Sequence, residues 1–252
     1  MPKLKFMILL TGFIWLYPTF QVFASLPDDT LTFFTLKGRI FSDACDENAC
    51  HSPVSSSFDV LDENGQRSSA GRSNAMQNGD YVITGLKQGI NYKIVIIDKE
   101  YLKNEFNLSV PLTDKYRELS RDLLVIPKKK GAKMAFHISP FEFKKSRIRI
   151  GADEYLDEIL SLIRLNPDIK WEIECYPDNE KNEDDNLRLT FERSNTVKSY
   201  LVSKGVSADN IGVHPNVKPD DYTPPPTNKY GKGKNYIGST YLKISEIITI
   251  IK

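Results

Sequence analysis

The stretch WEIECYPDNEKNEDDNLRLTFER, residues 171–193, constrains this chain more than any other. Trp171, Ile173 and Cys175 alternate with Glu172, Glu174 and Tyr176, the period of a strand with one buried face. Pro177 has no N–H for a ladder and stops the strand. A polar loop follows, and a helical pattern opens at Asn186. Asp178 then stands at a strand tip, with Arg193 about two turns into the next helix. Helical side chains lean toward the helix N-terminus, so Arg193 reaches back toward Asp178. The pattern predicts a fixed negative and a fixed positive group beside an open loop.

Such a pair suits a zwitterion. An ammonium group pairs with Asp178, and a carboxylate takes a forked pair of hydrogen bonds from Arg193. The plainer reading of the same two residues is a surface salt bridge, worth roughly 0–1 kcal/mol.

Residues 136–246 resemble the OmpA-like peptidoglycan-binding domain. That family carries Gly-His-Thr-Asp at the end of its second strand, then Asn, Leu-Ser and Arg-Ala in the following helix. Cys175-Tyr176-Pro177-Asp178 stands at the first motif, Asn186 at the Asn, Leu189-Thr190 at Leu-Ser, and Arg193-Ser194 at Arg-Ala. The fifteen-residue separation of Asp178 and Arg193 matches the family. The resemblance implies that Asp178 and Arg193 hold the diaminopimelate of a wall peptide, with Asn186, Thr190 and Tyr176 around them. It implies a partner, peptidoglycan, and no cofactor. Two elements depart from the family. Cys175, Tyr176 and Pro177 replace Gly-His-Thr, and Ser239-Thr240-Tyr241 replaces a late Asn-Arg-Arg run.

The rest of the chain sets the frame. Its 252 residues allow one large or two modest domains. A net charge of +1 gives no basic excess that would point to nucleic acid. Lys3 and Lys5, the apolar run Phe6 to Tyr17, and Val22-Phe23-Ala24 read as a signal peptide over 1–24, cleaved before Ser25. An uncleaved anchor is the alternative. The expected location is the periplasm, in association with the outer membrane or the wall. In an oxidising compartment Cys45 and Cys50 can pair across four residues, whereas Cys175 reads as a small core residue.

From Leu31 to Pro127 short strands alternate with turns: 32–41, 56–61, 81–84, 92–97, 106–110 and 123–126. Asn78-Gly79 is a hairpin dipeptide. The run from Asn78 to Tyr92 resembles carboxypeptidase regulatory-like and Cna-B-type sandwiches, which implies an interaction module over 25–127 with an envelope protein as partner. Lys128-Lys129-Lys130-Gly131 marks a boundary, giving a linker at 128–133 and a second domain at 134–252. There a strand at 134–143 precedes a helix at 152–165, whose apolar face is Leu156, Ile159, Leu160 and Ile163. Strand 169–176, helix 186–204, strand 211–214 and strand 241–251 complete it. The expected fold is thus multidomain. An all-β sandwich comes first, and then an α+β domain of order β-α-β-α-β-β, a mixed sheet with helices on one face.

Three function classes compete. The first is a wall-binding envelope protein. The second is a degenerate OmpA-like domain serving as a protein–protein scaffold. The third is an enzyme, for which no nucleophile–base pair, metal set or phosphate loop is present.

Overall fold

The computed structural model describes residues 33–42, 51–113, 115–178, 182–223 and 235–248. The expected signal peptide and the Cys45–Cys50 pair lie outside these residues.

Two four-stranded sheets form the N-terminal region. In one, β1 (Phe33–Ser42) pairs antiparallel with β4 (Asp80–Lys87) and parallel with β7 (Glu118–Ser120) and β8 (Leu123–Val125). In the other the order is β3 (Arg67–Arg72), β2 (Ser57–Leu61), β5 (Asn91–Ile96), β6 (Glu105–Ser109). Alternate residues of both sheets meet in one core that includes Phe34, Leu36, Phe58, Ile83 and Ile94. This is the expected sandwich.

Two of its strands were invisible to periodicity. β3 is Arg-Ser-Ser-Ala-Gly-Arg, an edge strand with no buried residue, so it carries no apolar alternation. β7 is only three residues long. The Asn78-Gly79 dipeptide adopts φ of 58° and 76° as a tight turn requires. It does not close a hairpin within one sheet, however. It follows a 3-10 turn at Ala75–Gln77 and carries the chain from β3 across to β4 in the other sheet.

The C-terminal region runs β9 (Lys133–Ala135), α1 (Asp153–Leu165), β10 (Ile169–Cys175), α2 (Glu183–Ser203), β11 (Ile211–Pro215) and β12 (Thr240–Ile247). Its sheet has the order β11-β10-β12-β9. β10 is parallel to β11 and antiparallel to β12, so the sheet is mixed as expected. Trp171, Ile173 and Cys175 are fully or almost fully buried and join Leu156, Ile159 and Val197 of the helices in one core. Burying each large apolar side chain there stabilises by roughly 1.5–3 kcal/mol. Neither helix is long and apolar enough to cross a membrane.

Two boundaries differ from the sequence reading. The first strand ends at Ala135, and the chain from there to Phe141 leaves the sheet, re-forming a single bridge between Phe141 and Ile148. Helix α2 starts three residues before Asn186. Asn182 caps it by accepting from the Asp184 amide at 2.9 Å, so the acidic residues fill the first turn instead of capping. Negative charge is favoured there by the helix dipole.

The residues joining the two regions are hydrogen-bonded. Gly131 N donates to Ile244 O at 2.8 Å, and Lys128 Nζ meets Asp168 at 2.6 Å. Asn166, at the end of α1, is buried. Its amide oxygen accepts from Lys103 N and its nitrogen donates to Lys103 O, both at 2.9 Å.

Candidate functional site

Asp178 leaves the tip of β10, and Arg193 lies on the buried side of α2. Arg193 Nη1 donates to Asp178 Oδ1 at 2.6 Å, and Nη2 to Oδ2 at 2.8 Å. Both side chains are entirely inaccessible to solvent. The expected open gap between the charges is therefore absent: the pair is in bidentate contact and covered.

Two loops do the covering. From the β9–α1 connection, Lys144 N donates to Asp178 Oδ2 at 2.7 Å, while the carbonyls of Lys145 and Glu142 accept from Arg193 Nε (3.0 Å) and Nη2 (3.1 Å). From the segment before β12, Gly238 N donates to Asp178 Oδ1 at 2.8 Å. The ring of Phe141 lies 5.1 Å from the guanidinium carbon. Each carboxylate oxygen accepts two bonds, so burial costs neither charge its partners.

The other expected site residues divide. Thr190 is buried, with its hydroxyl donating to Asn216 O at 3.0 Å and to Asn186 O at 2.9 Å. Asn186 donates to Val217 O at 3.0 Å. Both pin the chain that follows β11 onto α2. Tyr176 lies on the opposite face of the sheet from Cys175. Its ring packs edge-on against Tyr241 at 5.8 Å, and its hydroxyl accepts from Lys133 Nζ at 3.4 Å.

That opposite face holds what sequence reasoning missed. Glu174 is buried between Lys133 (3.0 Å) and Lys243 (2.6 Å). Burial raises its pKa, but the two lysines outweigh this and hold it below the ordinary value. Asp220 is buried too, accepting from the Tyr222 amide, the Thr223 hydroxyl and the Tyr241 hydroxyl. Burial opposes its charge, and these donors again win, lowering its pKa. Tyr241, where the family has arginine, thus serves an internal carboxylate. The β10 alternation was the available signal for Glu174. Nothing marked Asp220 within its polar loop.

The Glu174 group has a pH consequence. A carboxylate with a folded pKa below its unfolded one contributes stability above the unfolded value and loses it as pH falls through the folded value. Below the ordinary glutamate pKa of 4.5 the urea midpoint should therefore drop, and Glu174→Gln should flatten that drop. Denaturation at a series of pH values checks it.

The chain from Pro140 through the Asp178–Arg193 pair to residue 231 matches the profile of the OmpA family. Residues 140–231 form an OmpA-like domain. Among solved structures, the chain is similar to the peptidoglycan-associated lipoprotein from Burkholderia pseudomallei, at 16% identity, TM-score 0.34, covering 41% of this chain and 85% of that one. It is similar to the periplasmic domain of Helicobacter pylori MotB, at 15% identity, TM-score 0.38, covering 48% and 82%. It is also similar to the minor pilin GBS52 of Streptococcus agalactiae, at 15% identity, TM-score 0.29, covering 40% of this chain. This chain spans less than half of that pilin, 48% of its length. The assignment of the OmpA-like domain rests on the family match.

Proposed function

We propose that this chain is an exported, non-enzymatic protein of the cell envelope whose OmpA-like domain associates with peptidoglycan. In this reading Asp178 takes the ammonium and Arg193 the carboxylate of a stem-peptide diaminopimelate, with Asn186 and Thr190 belonging to the walls around them, whereas Tyr176 stands on the other face of the sheet. Residues 1–24 are the signal peptide, 25–127 the interaction sandwich, 128–133 the linker and 134–252 the wall-facing domain. The carrying observation is the meeting of two opposite charges, at the family's spacing, inside the segment that matches the OmpA family.

The energetics set the expected strength. Charge-assisted hydrogen bonds contribute about 1.5–3 kcal/mol each. Here a guest must first displace contacts the pair already makes, so single-site affinity is weak. Retention on the wall then comes from many sites on one polymer.

A second reading is favoured by one specific observation: both Asp178 oxygens are already doubly satisfied by the protein itself. On that reading the pair is a structural brace, and the domain is a scaffold for other envelope proteins. Co-sedimentation with purified sacculi separates the two. Binding through the clamp predicts that wild type sediments and that Arg193→Lys, shown folded by its circular dichroism, loses at least tenfold in bound fraction. Equal retention of the two proteins removes the clamp, and a wild type left in the supernatant selects the scaffold.

A further inference from the structure

The loop that covers the Asp178–Arg193 pair has two parts. Its neck is fixed: Phe141 is fully buried, pairs across the loop with Ile148, and Arg149 N donates to Pro140 O at 2.9 Å. Its tip, residues 142–147, is different. Lys144, Lys145 and Arg147 are exposed, and Lys145 pairs with Glu142 inside the tip itself. The tip touches the charged pair through main-chain atoms. Lys144 N points at Asp178, and the Glu142 and Lys145 carbonyls point at Arg193. Lys144 takes φ of 56°, a left-handed conformation that lysine adopts at a cost, and it lies in the residue whose N–H is delivered to Asp178.

The chemistry of those contacts is that of a guest. Two carbonyl oxygens offer Arg193 what a carboxylate would, and a main-chain N–H offers Asp178 what an ammonium would. We infer that the 142–147 tip is a self-ligand: it occupies the pair with the chain's own backbone, and a free α-amino carboxylate centre must displace it to bind. This rests on the reading of Asp178 and Arg193 as a clamp. Tip and guest exclude one another, so the apparent affinity is the intrinsic one scaled by the fraction of molecules with the tip lifted. One side-chain tie that adds to the closed state is Ser146 Oγ to Glu192 Oε2, 2.9 Å, at the exposed surface of α2.

Amide exchange by NMR on the full chain tests it, with meso-diaminopimelate as the probe. The Lys144 amide should exchange at least tenfold faster than that of Ile173 in the central strand β10. Glu192→Ala should speed Lys144 further and tighten diaminopimelate binding by the same factor. If Lys144 and Ile173 exchange at one rate, the tip opens only on global unfolding and the self-ligand is overturned. An unchanged affinity in Glu192→Ala, despite faster exchange, overturns it as well. Lack of binding by both proteins with a freely exchanging tip has a separate meaning: it overturns the clamp itself and, with it, the displacement.

Discussion

Asp178→Ala should lower the unfolding free energy by about 3–5 kcal/mol, because it leaves the guanidinium of Arg193 buried without its counter-charge. The loss is larger than a surface ion pair could give, which is roughly 0–1 kcal/mol. Two loops also lose their common anchor, since the Lys144 and Gly238 amides both end on this carboxylate. Urea denaturation measures it. The double variant Asp178→Ala, Arg193→Met should cost less than the sum of the singles by about 1–3 kcal/mol, as expected for groups in direct contact. Simple additivity would mean that the two charges do not rely on each other.

The second large effect is expected at Gly238. A Cβ there would lie 1.9 Å from Tyr176 O and 2.6 Å from Pro177 O. These are main-chain atoms at the tip of β10, so neither can swing aside as a side chain would. Gly238→Ala should therefore cost about 3 kcal/mol, the upper end for overpacking, and pull the Gly238 amide away from Asp178. Gly212→Ala is the control. Its nearest neighbours would be 3.7 Å away, so its effect should stay within about 0.5 kcal/mol. Equal effects at the two glycines would show that the close approach at Gly238 is relieved at little cost.

Much of the architecture could be read from residues. The Leu156–Ile163 stripe marked the buried face of α1, and the alternation from Trp171 to Cys175 marked the inner face of β10. The offset from Asp178 to Arg193 was enough to bring the two side chains together. What could not be read is how the pair is covered. The tip of the β9–α1 loop acts through N–H and C=O groups, which every residue has, so Glu142, Lys144 and Lys145 carry no mark of it. Pro177, next to Asp178 in sequence, has no N–H to donate. The donor comes instead from Gly238, sixty residues away. The resemblance set Tyr176 beside Asp178, whereas strand parity assigns its ring to the face of Glu174 and Lys133. Strand β3 was missed because an edge strand with polar residues on both sides has no hydrophobic rhythm.

Asn166 has a mechanical implication. Its side-chain amide bonds Lys103 through both oxygen and nitrogen, and the same nitrogen also reaches Leu162 O at 2.9 Å. One short side chain thus acts as a rivet between a loop of the sandwich and the last turn of α1. Tension applied at the sandwich would reach α1 through that rivet as well as through the main chain and the Lys128–Asp168 pair.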